Sequence, residues 1–156
     1  ASMSREMLET GNYLEIYEQG SDYLDKPPLI FWLSSQSMRL FGATNFGYKL
    51  PSILFALLAI YATFRFARIF YDHTTAQLAA LILATSQAFF LIANDVRTDT
   101  ILTGCVIFAI WQLAEAFESG HWRHFLWGFI GIGLGLLAKG PIALLLPAMG
   151  FSVHFT

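Results

Sequence analysis

The sequence has little charge. Only 13% of its 156 residues are Asp, Glu, Lys or Arg, whereas 56% are hydrophobic and 16% are aromatic. The charged residues stand at the ends of apolar stretches, so these stretches lack the polar stripe that a helix of a soluble protein shows to water. This composition excludes an ordinary soluble domain and predicts a membrane protein.

Several other features are missing, and each absence excludes a class of function. A formal net charge of -2 leaves no basic excess for binding nucleic acid. The single cysteine, Cys105, excludes an internal disulfide. No G-x-S-x-G motif is present, which argues against a serine hydrolase. Asp25 has no His or second acid at a ligand spacing, so the residues alone do not indicate a metal site.

Four apolar segments predict an all-α fold. They cover about 48–70, 75–93, 101–117 and 125–138, and a fifth begins near Ile142. A helix needs roughly 17 to 25 apolar residues to cross a bilayer, so we expect about four to five transmembrane helices. Residues 1–47 are predicted to form the first extracytoplasmic loop with juxtamembrane helices, and residues 48–156 the helical bundle.

The connectors between these segments are short, which makes successive helices antiparallel neighbours. The connectors "RIFYDHTT" and "ESGHWRH" should therefore share one side of the membrane. The connectors "NDVRTDT" and "KGP" should share the other side with the first loop. Arg65, Arg68 and Arg123 on the first side outnumber Arg97 and Lys139 on the second, which favours a cytoplasmic first side.

A glycine-rich stretch, "GFIGIGLGLLAKG", lies in the fourth apolar segment. No strand precedes it, as a dinucleotide-binding loop would require. Gly131 and Gly135, four residues apart, instead predict close packing of one helix on another in lipid.

Polar residues from three separate places converge on one face by this topology: Asp25 and Lys26, Arg97 and Asp99, and Lys139. Three cations at one rim suit a phosphate, because Arg offers a bidentate fork and Lys a point charge. An aspartate near cations stays ionised and can accept a proton. The group therefore predicts transfer from a phosphate-linked donor. Snorkelling into the interface is the alternative for each cation, and it is favoured for Arg39 and Lys49.

The stretches "SREMLETGNYL", "YLDKPPLIFWL", "VRTDTILTG" and "GLGLLAKGPIALLLP" resemble, in this order, the N-terminal half of a family of bacterial membrane glycosyltransferases. The family is of the protein O-mannosyltransferase and aminoarabinose lipid A transferase type. The resemblance implies a donor-phosphate ligand for Lys26, an active-site acid for Asp99, and a place near the same cavity for Lys139. Asp25 matches a position where relatives carry an acid that can bind a divalent metal, whereas Arg97 is added from charge and position alone.

The resemblance further implies sugar transfer from a polyprenyl-phosphate carrier at the outer face of the bacterial inner membrane. The acceptor, a hydroxyl or phosphate on a lipid, protein or glycan, stays open, and apart from that metal no cofactor is implied. Membrane lipid is an expected partner and nucleic acid is not. The family's principal catalytic acid is expected upstream of Ala1, so we expect the 156 residues to be a fragment, inactive on its own.

Two other classes of function remain open at this stage. A transporter or flippase for a lipid-linked or anionic substrate would use Lys26, Asp99 and Lys139 as its path. It would place ionisable residues near the middle of the spans, whereas here they stand at the ends. A structural or assembly subunit would use the same polar rim to contact a partner protein.

Overall fold

The protein is described here from a computed structural model, which covers Glu9, Gly11, 17–18, 21–22, 29–93 and 98–154. Six helices occupy most of these residues. They are α1 (Leu29–Phe41), α2 (Asn45–Phe70), α3 (His73–Ala93), α4 (Thr98–Ser119), α5 (Trp122–Lys139) and α6 (Ile142–His154). Two short strands, β1 (Tyr17–Glu18) and β2 (Ser21–Asp22), pair antiparallel with Tyr17 opposite Asp22. The predicted all-α fold is confirmed.

Each predicted apolar segment lies within one helix. Helices α2 and α4 are long and apolar enough to cross a membrane. Helices α3 and α5 have 21 and 18 residues. At 1.5 Å per residue they measure about 32 and 27 Å, close to the ~30 Å of a hydrocarbon core. The predicted multi-pass architecture therefore agrees with the helix lengths.

Local signals explain why the helices begin and end where they do. Thr44 caps α2, because its hydroxyl oxygen accepts a hydrogen bond from the Gly47 amide at 3.2 Å. Helix α5 ends at Lys139 and is capped by Gly140, whose φ of 85° is reached at low cost without a side chain. The Gly140 amide then donates to the carbonyl of Leu136 at 2.8 Å, which closes the last turn. The tight connector between α5 and α6 follows from this cap.

Helix α4 is the centre of the bundle and packs against α2, α5 and α6. Of its most apolar stretch, 67% is buried, compared with 22% for α2. Helix α3 packs on the outside of α2, and α1 packs on α2 and on α5. Helix α4 is therefore more deeply buried than α2.

The glycines of α5 pack against other helices as predicted. A Cβ atom added to Gly135 would lie 2.6 Å from the Cβ of Ala143, and one on Gly131 would lie 3.0 Å from Cδ1 of Phe108. A Cβ atom added to Gly133 would meet nothing within 4 Å among the described residues. Because the stretch is helical up to Lys139, the packing interpretation is confirmed and a dinucleotide loop is excluded.

Candidate functional site

Two of the predicted site residues, Asp99 and Lys139, meet at one end of the bundle. The Nζ atom of Lys139 donates a hydrogen bond to Oδ1 of Asp99 and forms an ion pair with it, across 40 residues of sequence. The Asp99 side chain is 42% exposed and the Lys139 side chain is 45% exposed. The pair is therefore formed but open to solvent and to ligands.

Asp99 lies at the N-terminus of its helix, whereas Lys139 lies at the C-terminus of its own. Asp99 lies in the first turn of α4, and Lys139 is the last residue of α5. A helix carries partial positive charge at its N-terminus and partial negative charge at its C-terminus, so each residue complements its own helix end. Each such interaction contributes about 0.3 to 1 kcal/mol at an exposed site. The sequence thus places both charges where they stabilise the helices that carry them.

A hydrophobic cluster lies next to the pair and joins three helices. Leu29 and Ile30 of α1, Ile101 and Cys105 of α4, and Ala138 of α5 are all buried in it. Ile101 follows Asp99 by two residues, and Ala138 directly precedes Lys139. The beginning of α1 is consequently fixed at the same end of the bundle as the Asp99–Lys139 pair.

Thr103 also contributes to this end of α4, and the sequence reasoning missed it. Its hydroxyl donates to the carbonyl oxygen of Asp99 at 2.7 Å. Thr100, between them, is 6% exposed. The contact could have been predicted from the spacing, because the hydroxyl of a threonine in a helix can donate to the carbonyl oxygen four residues earlier. Thr103 follows Asp99 by four residues at the start of α4.

The other predicted residues are not placed by the structure. Asp25, Lys26 and Arg97 lie outside the described residues, as does most of the predicted first loop before Leu29. Their assigned roles stay predictions. Within the described part of the chain, no group of three or more His, Cys, Asp or Glu side chains could hold a metal ion. The metal role of Asp25 likewise stays a prediction.

Arg39 and Lys49, which were expected to snorkel, are both exposed. Arg39 lies in the last turn of α1 and Lys49 near the start of α2. Neither residue belongs to the hydrophobic cluster beside Asp99 and Lys139. Exposed lysine and arginine near helix ends agree with the snorkelling interpretation.

Several helices long enough to cross a bilayer, with an exposed carboxylate–ammonium pair at one end, define a multi-pass membrane protein with a polar site at a membrane surface. The sequence profile of the family described as dolichyl-phosphate-mannose-protein mannosyltransferase matches residues 25–155. The chain belongs to this family.

One similar protein is the undecaprenyl phosphate-alpha-4-amino-4-deoxy-L-arabinose arabinosyl transferase of Pectobacterium atrosepticum. The two are 31% identical over an alignment of 154 positions, which covers 96% of this chain and 28% of the relative. The chain therefore spans less than a third of the length of this relative. The resemblance to transferases of this type is confirmed.

Solved structures of the same type share the fold. The apo structure of ArnT from Cupriavidus metallidurans superimposes with a TM-score of 0.82 at 22% identity, covering 97% of this chain and 29% of that one. The structure of the same protein bound to undecaprenyl phosphate gives a TM-score of 0.79 at 23% identity, with the same coverage. At these identities the likeness concerns the fold.

Proposed function

We propose that this chain is part of an integral-membrane glycosyltransferase. The enzyme moves a sugar from a polyprenyl-phosphate carrier to an acceptor at the outer face of the bacterial inner membrane. Membership of the family supports the reaction class, and the names of the relatives support a polyprenyl phosphate carrier. The observation that carries the proposal is the pairing of Asp99 with Lys139 at the end of the bundle where α1 begins.

In the proposed reaction, the bond between the sugar's anomeric carbon and the phosphate oxygen breaks, and its electron pair stays on the phosphate. The acceptor oxygen forms the new bond to the anomeric carbon. Cationic groups that face the leaving phosphate stabilise the charge that collects on it. We assign this task to Lys139 together with Lys26 and Arg97, which lie outside the described residues. Lys26 precedes the buried Leu29 by only three residues.

Asp99 is assigned to the acceptor. When the acceptor is a hydroxyl, its proton goes to the Asp99 carboxylate, beside the upstream acid that the family resemblance implies. When the acceptor is a phosphate it is already ionised, so no proton has to be removed and Asp99 is not needed as a base. Asp25 would hold a divalent metal if one takes part, and no step of this mechanism depends on it.

The ion pair gives the mechanism an order of events. Before the donor arrives, Lys139 neutralises Asp99. A donor phosphate is a second anion that competes for the same ammonium group. Its binding draws Lys139 away and leaves Oδ1 of Asp99 free to receive the acceptor proton. Because the pair is nearly half exposed, exchanging partners costs about 1 kcal/mol or less.

The transporter alternative is not favoured. A substrate path through the membrane would place ionisable side chains near the middle of spans. Asp99 lies in the first turn of its helix and Lys139 at the last position of its own. The family to which the chain belongs is described as a transferase family.

The test is transfer by the intact, membrane-inserted protein from an undecaprenyl-phosphate-linked sugar. With an acceptor that carries a hydroxyl, we expect Asp99→Asn to lower the transfer rate by about a hundredfold or more, since it removes the proton acceptor. Lys139→Gln should also lower it, because the leaving phosphate loses a cation. Lys49→Gln removes an exposed lysine near the start of α2 and should leave the rate unchanged. Normal transfer by Asp99→Asn would contradict the assignment.

A further inference from the structure

A second polar group lies toward the opposite end of the bundle, between α2 and α4. The Nη2 atom of Arg65 is 3.8 Å from Oε1 of Glu115, and its Nη1 atom donates to the Tyr61 hydroxyl at 3.1 Å. The guanidinium carbon lies 5.2 Å from the centre of the Trp111 ring. The indole nitrogen of Trp111 in turn donates to Oε2 of Glu115 at 2.8 Å. Arg65 is therefore held in one orientation by neighbours on both helices.

A cavity of about 550 Å³ opens beside Arg65, among α2, α3 and α4. It is lined by Phe64, Arg65, Arg68, Ile69, His73 and Glu115. The two arginines lie one turn apart on α2, and His73 begins α3. With two arginines and one carboxylate, the lining carries an excess of one positive charge.

The cavity lies at the depth of a membrane interface. Arg65 and Arg68 fall within the last six residues of α2, and Glu115 within the last five of α4. Both helices are long and apolar enough to span a bilayer. Phosphates of lipid headgroups occupy the same depth, where long cationic side chains extend to meet them.

The lining also matches the two parts of a lipid headgroup region. A guanidinium has five N–H donors. On Arg65, only Nη1 donates a hydrogen bond to another described residue. The contact of Nη2 with Glu115, at 3.8 Å, is an ion pair longer than a hydrogen bond. Donors thus remain for phosphate oxygens, while Phe64 and Ile69 offer apolar surface for the glycerol and the first methylene groups.

From this combination we infer that the cavity lined by Arg65, Arg68 and His73 binds the phosphate of an anionic phospholipid headgroup. The site is separate from the Asp99–Lys139 pair and does not depend on the proposed transfer reaction. Arg65 is fixed in advance by Trp111 and Glu115, and exposed Arg68 closes over the bound phosphate.

The intact protein tests this in nanodiscs that contain equal amounts of phosphatidylglycerol and phosphatidylcholine with the same acyl chains. Mass spectrometry then measures which lipid remains on the protein after detergent extraction. Wild type should retain phosphatidylglycerol preferentially. Arg68→Gln should lower this preference about fivefold, since one interfacial arginine contributes about 1 kcal/mol. Arg68→Lys should retain most of it.

Arg123→Gln is the matched control, because it removes one exposed arginine at the same end of the bundle but outside the cavity. Its preference should equal that of wild type. Equal losses in Arg68→Gln and Arg123→Gln would mean that surface charge alone attracts the lipid, and the site would be refuted. Full displacement of phosphatidylglycerol by millimolar inorganic phosphate would also overturn the proposal, because the ligand would then be free phosphate. Unfolding temperatures in detergent check that the variants are folded.

Discussion

Lys139 donates a hydrogen bond to Asp99 and thereby links the last residue of α5 to the first turn of α4. The contact can stabilise the fold, take part in the reaction, or do both. Because the pair is exposed, it contributes about 1 kcal/mol at most to the stability of the fold. The positions of the two charges at a membrane surface leave them available for substrate.

Exchanging the two charges separates these roles. Asp99→Lys and Lys139→Asp each place like charges together, and the double variant restores an ion pair in reverse. We expect all three to insert and fold, with small losses of stability because the reversed charges oppose the helix dipoles. Sugar transfer should be lost in all three. Asp99→Lys and the double variant have no carboxylate on α4, and Lys139→Asp removes the cation that faces the leaving phosphate. Recovery of transfer in the double variant would show that the pair is structural.

The close approach of α5 to α6 gives a second prediction. A Cβ on Gly135 would lie 2.6 Å from that of Ala143, so Gly135→Ala should destabilise the protein by about 1 to 3 kcal/mol through overpacking. Gly133→Ala in the same helix meets nothing among the described residues and should be neutral or gain up to about 1 kcal/mol of helix propensity. Thermal unfolding in detergent measures both.

The companion change Ala143→Gly removes the atom with which the new methyl group collides. The Gly135→Ala/Ala143→Gly double variant should therefore recover much of the stability lost by Gly135→Ala. If Gly133→Ala destabilises the protein as much as Gly135→Ala, the cost does not come from this contact.

Buried serines between α1 and α2 give a third prediction. Ser34 and Ser52 are 0% and 1% exposed. The Ser34 hydroxyl donates to the carbonyl of Tyr48 at 3.4 Å, whereas the Ser52 hydroxyl has no partner within the described residues. Ser52→Ala should be neutral or stabilise by about 1 kcal/mol, because a buried group without a hydrogen bond is removed. Ser34→Ala should destabilise. Chemical unfolding would contradict this reasoning if the two variants changed stability in the same direction.

The sequence predicted the helices well because a helix in lipid must be apolar, and hydropathy can be read from each residue separately. Each apolar segment became a helix, but the helices begin earlier than hydropathy alone suggests. The first full span begins at Asn45 instead of near 48, because Thr44 caps it. Helix α4 begins at Thr98 instead of near 101, so Asp99 is a helical residue. Polar first turns are invisible to hydropathy and are found from capping residues.

The candidate site was predictable in part. Counting connectors was enough to place Asp99 and Lys139 on one side, because antiparallel neighbours alternate. Their direct contact depends on how α4 and α5 are rotated against each other, which no single-sequence pattern shows. The same limit applies to Arg65 and Glu115, which stand 50 residues apart and meet only because these faces of α2 and α4 turn toward each other.

Asp72 gives the last prediction, on the dependence of stability on pH. It precedes α3 in an exposed connector, and the side chain of Thr75 donates to its carboxylate, as does the Thr74 amide at 3.1 Å. These hydrogen bonds, led by that from the Thr75 side chain, lower the pKa of Asp72 below its ordinary value. They favour the ionised form in the folded state, so the folded pKa lies below the unfolded one. Their contribution is complete above the unfolded pKa and is lost as pH falls through the folded pKa.

Asp72→Asn keeps an acceptor for the amide but cannot titrate. The difference in unfolding temperature between wild type and Asp72→Asn should therefore be constant above the ordinary pKa of an aspartate and should shrink as the solution is acidified below it. Thr75→Ala removes the hydrogen bond that lowers the pKa most, so it should reduce this acid-dependent part. If this difference does not change on acidification, the charge of the Asp72 carboxylate does not contribute to stability.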